Sequence, residues 1–234
     1  MTLEKILGFT PTNNFRETAQ ILWTTWGAKD YGVLPKNFNN PIIVDIGSHI
    51  GISVLYFKHR HPTAQVTCFE PNPKTFEILK KNTQGLNHVE IINAAVHDFN
   101  GHANFGVGET AWGDSLVDKE KDYKLPIKVI SASEICDHPI DLLKIDAEGS
   151  EYAIINDLNN SGNINNIDHI VMEFHGKING KHHLKKVLDA FKENDFEYTI
   201  GHDIRVLKAD EQKVLTTRSK KFEYLVIHAW KVKN

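Results

Sequence analysis

From Asn40 onward the chain alternates short apolar runs with longer stretches of helical spacing. Pro41-Ile42-Ile43-Val44-Asp45-Ile46 is a continuous apolar run that ends in an acid and a glycine, the pattern of a strand covered on both faces. Ile52 to Arg60 then places Ile52, Leu55 and Tyr56 at helical spacing, and Pro62 closes the segment. Gln65 to Phe69 reads as a second strand ending in Glu70-Pro71-Asn72-Pro73, where Pro73 suits the first turn of a helix running through Phe76 and Leu79 towards Gly85. Val89 to Val96 is predicted as a third strand, Asp141 to Ile145 as a fourth and Ile167 to Phe174 as a fifth, with a helix from Ser150 to about Leu158 between the last two. Lys181 to Asn194 is a periodic helix with Leu184, Val187, Leu188 and Phe191 on one face, followed by strands at Glu197 to Gly201 and Tyr224 to Val232. Such alternation predicts an α/β fold, a doubly wound and mostly parallel sheet with right-handed crossovers.

Three stretches fall outside this rhythm. Asn13 to Leu34 reads as a helix bearing Trp23 and Trp26, which makes residues 1–39 an N-terminal helical extension, a candidate lid, on a main domain of 40–234. Gly101 to Pro126 is rich in Gly, Asp and Lys and contains Trp112. Asn159 to Asn166 is an Asn-rich loop of low expected order.

Composition narrows the function classes. The 234 residues are 41% hydrophobic and 24% charged, which is globular. A net charge of -3 gives no global attraction to nucleic acid or anionic lipid, so no nucleic-acid partner is expected. The two cysteines, Cys68 and Cys136, have no metal-ligand spacing and make a reducing compartment the simpler assumption. Met1 to Phe9 lacks the pattern of a signal peptide, and no apolar run reaches the roughly 20 residues that span a bilayer. A soluble, cytoplasmic protein is expected.

In open α/β sheets ligands bind beyond the carboxyl ends of the strands. There the first strand ends in Asp45-x-Gly47-x-x-x-Gly51 and the second in Glu70. Gly47 lets the backbone turn and approach a ligand, Gly51 lets the next helix pack closely, and Glu70 can accept hydrogen bonds from both hydroxyls of a ribose. A dinucleotide loop would run G-x-G-x-x-G and cradle a pyrophosphate. Here His49 stands at its second glycine, and the Asp45 carboxylate would repel a pyrophosphate but suits the cationic amino-acid end of S-adenosylmethionine. Methyl transfer is therefore preferred to hydride transfer by an NAD-linked oxidoreductase. A non-catalytic cofactor-binding module is the third reading.

Val44 to Gly51, Phe69 to Pro73, Ile140 to Glu151 and Val171-Met172-Glu173-Phe174-His175 together resemble the FkbM family of methyltransferases over about Asn40 to Gly176. The Asp-Leu-Leu-Lys-Ile-Asp-x-Glu-Gly-x-Glu string is the most specific element. The resemblance implies the class I methyltransferase fold, a seven-stranded sheet with an antiparallel last strand. It also implies O-methylation of sugars, glycans or polyketide-type natural products. By resemblance Asp45, Gly47 and Glu70 bind the cofactor and Asn72 contacts the adenosine. Ser48, His49, Gly51 and Ala95 complete the candidate cofactor set. The family usually carries Ala-Asn where this chain has Ser48-His49, so contacts to the amino-acid moiety can differ here.

O-methylation needs an acceptor oxygen aligned with the sulfonium methyl and a group that removes its proton. Asp146 and Glu148 follow the fourth strand, and Glu173 and His175 end the fifth, on one side of it if it stays extended. Two mechanisms fit these candidates. His175 can act as general base with Asp146 or Glu148 orienting it or the acceptor, which is the preferred reading. Alternatively Asp146, Glu173 and His175 can hold a divalent cation, magnesium or manganese, with the imidazole tilting the choice towards manganese or zinc. Glu151 is read as a cap of the following helix. Lys144, inside an apolar strand, calls for a carboxylate partner. Trp112, Asp114 and Ser115 could line an acceptor pocket, and Trp26, Lys29 and Tyr31 could close it. For both tryptophans packing is equally expected, and His182-His183 reads as a solvated helix start.

Overall fold

The computed structural model describes residues 10, 31, 34, 38–106, 124–176, 183–202 and 223–232. Trp23, Trp26, Lys29, Trp112, Asp114, Ser115 and His182, singled out above, lie outside them.

The apolar runs form strands of one sheet. They are β1 (Ile42–Ile46), β2 (Gln65–Phe69), β3 (Val89–Ile92), β7 (Ile140–Ile145), β8 (Ile167–Gly176), β9 (Phe196–His202) and β10 (Glu223–Lys231). Their order is β3-β2-β1-β7-β8-β10-β9. β10, last in sequence, runs antiparallel to both its neighbours, β8 and β9, while β3, β2, β1, β7 and β8 pair in parallel. The expected seven-stranded sheet with an antiparallel last strand is thus present.

Helices cover both faces, which is why β1 and β7 are mostly apolar, with Asp45 and Lys144 as the buried charged exceptions. On one face Ile46, Leu143, Ile145, Ile170, Met172 and Phe174 join a core that includes α4 (Glu151–Ser161) and α5 (His183–Glu193). On the other, Ile43, Val66, Cys68, Leu142 and Val171 pack with Val54 and Phe57 of α1 (Ile52–Arg60) and Leu79 of α2 (Pro73–Thr83). Tyr31 and Leu34, from the segment before β1, are buried in that second cluster. Pro73 opens α2 as predicted, and the Asn72 side chain caps it by accepting from Lys74 N at 2.9 Å.

Three expectations are corrected. The run Val89 to Val96 is not one strand: the chain leaves the main sheet after Ile92, and Ala95 to His97 (β4) joins a second sheet. That sheet, ordered β4-β6-β5, also takes β5 (Gly101–Gly106) and β6 (Lys124–Ser131), so both ends of the supposed Gly101 to Pro126 loop are paired strands. Low pattern contrast hid it, since β5 is largely exposed. The short helix α3 (Ala132–Ile135) then leads to β7. The Asn-rich stretch is also ordered. α4 runs to Ser161, Gly162 takes φ 79, and Asn163–Asn166 form a 3-10 turn around the fully buried Ile164. Asn163 and Asn166 donate side-chain N–H groups to the carbonyls of Ser133 and Cys136, so here Asn serves as a tie between chains of backbone.

The strand order reverses between β1 and β7, the place where open α/β sheets form a ligand crevice.

Candidate active site

Parallel register stacks the polar residues above the apolar ones on the α1 side of the sheet. Ile43 is level with Leu142 in the neighbouring strand, and Asp45 with Lys144. Lys144 is level with Val171 in β8, so Glu173 and His175 lie beyond that apolar level, as Asp146 lies beyond Lys144. Apolar side chains therefore give way to charged ones as the strands reach their carboxyl ends.

The loop after β1 is shaped by its neighbours. Gly47 and Ser48 donate backbone N–H groups to the Phe69 carbonyl at 2.9 and 3.0 Å, and Asp146 N donates to Ile46 O at 3.0 Å. At Gly47 (φ 77) a Cβ would fall 1.9 Å from the Asp146 carbonyl oxygen, so only glycine fits. At Gly51 (φ 88) it would meet Leu79 Cδ1 at 2.8 Å, so the close neighbour of this glycine is α2 rather than the strand expected. The Ser48 hydroxyl turns inward to the Asp45 carbonyl.

Glu70, 6% exposed, is presented by backbone. Its Oε2 accepts from His49 N at 2.9 Å and its Oε1 from Asn72 N at 2.8 Å. These two backbone donors orient the carboxylate. His49 reaches this contact with φ 50. Asn93, which sequence reasoning did not single out, donates to the carbonyls of Glu70 and Pro71 and pins the same turn. Ala95 is not brought to this turn; it packs with Phe105, Ile127 and Val129 in the second sheet.

Asp45 is fully buried. One carboxylate oxygen accepts from Ser53 Oγ at 2.5 Å and the other lies 3.1 Å from Lys144 Nζ. The Lys144 ammonium also donates to the Gly47 carbonyl at 2.7 Å and stands 3.8 Å from Asp146. Burial works against its charge, but Asp45, Asp146 and Glu173 outweigh that and hold its pKa above the ordinary lysine value. The partner expected for Lys144 is thus Asp45.

Beyond β7, Asp146, Glu148 and His175 converge, each offering a ligand atom within 4.8 Å of the others. His175 Nε2 lies 4.0 Å from Asp146 and 3.7 Å from Glu148. Its other nitrogen is held by Glu151, 1% exposed, whose Oε1 lies 2.9 Å from Nδ1. The same carboxylate accepts from Ala147 N and Gly149 N, so Glu151 ties down the Asp-x-Glu-Gly turn. Glu151 does stand in the first turn of α4, but its carboxylate is turned to the Ala147 and Gly149 N–H groups before the helix and to His175, a grip that spacing alone did not signal. Glu173 takes a different partner from the one expected. Its Oε1 accepts from the Tyr31 hydroxyl at 2.8 Å, and Glu148 occupies the place in the three-donor group that the sequence reading gave to Glu173.

Protons crowd this cluster. Burial, then the charge of Glu173, pushes Asp146 up to about 6 against the pull of Lys144 and His175. Burial pushes Glu148 up to about 8. For His175 burial works downward, but the hydrogen bond and charge of Glu151, with Glu148 and Asp146, raise it to about 10. At neutral pH the imidazole is therefore a cation and Asp146 an anion. Five carboxyl groups, those of Asp45, Asp146, Glu148, Glu151 and Glu173, thus share two basic groups, Lys144 and His175.

A loop without a phosphate cradle, a buried acid at the end of β2 and a surplus of carboxyl groups suit a cationic nucleoside ligand. The FkbM methyltransferase domain model matches residues 45–198. The chain belongs to the FkbM methyltransferase family. The 2-O-methyltransferase NoeI of Sinorhizobium fredii (strain NBRC 101917 / NGR234) is 33% identical to this chain over 66 residues, which is 28% of this chain and 27% of NoeI. Methyltransferase sdnD of Sordaria araneosa is 43% identical over 44 residues, 19% of this chain and 17% of that one. The aligned stretches thus cover only about a quarter or less of these relatives. In fold, the crystal structure of methyltransferase FkbM from Methylobacillus flagellatus KT superposes with a TM-score of 0.52 at 14% identity, over 85% of this chain and 45% of that one. The StiE O-MT structure gives 0.52 at 11% identity over 92% and 76%. Residues 45–198 thus form an FkbM methyltransferase domain, and the fold is Rossmann-like. Among the described residues no helix is long and apolar enough to cross a membrane.

Proposed function

We propose that the protein transfers a methyl group from S-adenosylmethionine to a hydroxyl of a sugar, glycan or glycosylated natural product. The carrying observation is Glu70, a buried carboxylate aimed by the backbone of His49 and Asn72 beside a loop whose own acid, Asp45, is neutralised by Lys144. In this reading Glu70 accepts from the ribose hydroxyls, while Gly47, Ser48 and His49 line the amino-acid end. Asp45 and Gly51 shape the loop from beneath. Asn72 acts here through Glu70 and as a helix cap. Ala95 drops out of the set. The names of NoeI, a 2-O-methyltransferase, and of StiE O-MT support an oxygen acceptor.

Bound there, S-adenosylmethionine supplies an electrophilic methyl on a sulfonium. The chain's own groups handle the acceptor. Asp146, with a quarter of its side chain exposed and ionised above about 6, receives the hydroxyl's proton as the oxygen–carbon bond forms. His175 already carries its proton at neutral pH, so it orients the acceptor and offsets the negative charge developing on oxygen. The general base thereby moves from His175, where the sequence placed it, to Asp146.

A second reading has its own observation. Asp146, Glu148 and His175 form a two-oxygen, one-nitrogen donor set that suits magnesium or manganese, and the Glu151 contact to Nδ1 would aim Nε2 at such an ion. Turnover of a sugar and glycan panel with S-adenosylmethionine, with and without EDTA, tests both. Turnover that survives chelation supports Asp146 as an unaided base. Loss on chelation, restored by one cation, favours the metal reading. No methylated product from any hydroxyl acceptor, with cofactor bound, overturns the acceptor class.

A further inference from the structure

The residues above leave one buried titratable pair without a role. Tyr31 is 6% exposed and precedes the first strand by eleven positions, yet its hydroxyl donates to Glu173 at 2.8 Å. Its ring lies 5.6 Å from the Lys144 ammonium and 6.1 Å from the ring of Phe57. Lys144 in turn touches Asp45, the Gly47 carbonyl and Asp146. A buried chain therefore runs from Tyr31, whose hydroxyl holds Glu173, across its ring to the Lys144 ammonium and on to the loop after β1.

We propose that Lys144 and Tyr31 are positioning residues that hold the Asp45–Gly47 loop in its cofactor-binding shape, Tyr31 acting through Lys144. This rests on the cofactor reading given above. Lys144 works as a single point of charge. Three donors on a flexible stem reach a carboxylate on one side and a backbone carbonyl on the other, which fixes the loop where only glycine can pass Asp146. Glu173 is the competitor. Its charge acts on the same ammonium, and an unrestrained carboxylate there would draw Lys144 away from the loop. Tyr31 opposes that by engaging Glu173 from above while its ring face sits beside the ammonium.

The test uses S-adenosylmethionine itself as probe and needs no acceptor. Calorimetric titration and thermal unfolding are run on the full chain, on Tyr31→Phe, on Lys144→Met and on the double variant. Tyr31→Phe keeps the ring and loses only the hydroxyl, so its unfolding midpoint stays close to that of the parent chain. The expected losses of affinity are about threefold to tenfold for Tyr31→Phe and tenfold or more for Lys144→Met. The double variant should be no weaker than Lys144→Met alone, because Tyr31 has nothing left to act through. A purely structural role would instead lower the unfolding midpoint and let the two losses multiply. Multiplying losses, or Tyr31→Phe binding as tightly as the parent, overturns the proposal. If Lys144→Met does not fold, Tyr31→Phe decides by itself: weakened binding with an unchanged midpoint supports it, unchanged binding overturns it. Absence of binding by the parent chain would instead sink the cofactor reading on which the proposal stands.

Discussion

Glu151 Oε1 lies 2.9 Å from His175 Nδ1 while also accepting from the backbone of Ala147 and Gly149. A carboxylate accepts only, so Nδ1–H donates to Glu151 and Nε2 is turned to Asp146 and Glu148. Glu151→Gln keeps the size but removes the charge that orders both the turn and the ring. It is expected to lower kcat by roughly 10- to 100-fold with cofactor affinity little changed. Equal kcat in the variant would show that His175 needs no orientation.

Asp146→Asn tests the proton acceptor directly. The amide keeps its shape but cannot take a proton, so methyl transfer should fall by about 10²-fold or more. In the parent chain the rate should rise with pH through about 6, where Asp146 loses its proton. A profile that is flat from 5 to 8 would contradict Asp146 as the base, and one that keeps rising until about 10 would return the role to His175.

Stability should depend on pH in one direction. Asp146, Glu148 and His175 all have pKa values raised in the folded state, so the folded chain binds more protons than the unfolded one. The His175 contribution is fully present below about 6.5 and disappears as pH rises through about 10. Glu148 adds to the decline between about 4.5 and 8. Thermal unfolding midpoints should therefore fall from pH 7 to pH 10, and His175→Gln should flatten that fall. An upward trend over this range would contradict the assignment.

Gly47→Ala places a methyl against the Asp146 carbonyl in a left-handed backbone. A loss of about 3 kcal/mol or more is expected, measurable by denaturant unfolding, with cofactor binding abolished. A stable, binding variant would mean that the loop and the Asp146 turn can move apart.

What could be read from sequence follows the strength of the underlying pattern. β1 and β7 are buried on both faces, so their apolar runs were unambiguous, and Gly47 with Glu70 fell at their expected strand ends. The second sheet was missed because β5 is mostly exposed and offers little alternation to detect. Residues joined across the fold were harder still. Tyr31 and Glu173 are 142 positions apart, and period-two spacing in β8 could not show that Tyr31 would engage Glu173 while Glu148 joined His175. Asn93 gave no signal, because its partners are backbone carbonyls rather than a motif.

The central claim is best tested by following the labelled methyl group of S-adenosylmethionine through a panel of hydroxyl-bearing sugars and glycans. Label should appear on an acceptor oxygen with the parent chain and not with Asp146→Asn. Label that never leaves S-adenosylmethionine, or that arrives equally with Asp146→Asn, would contradict the account.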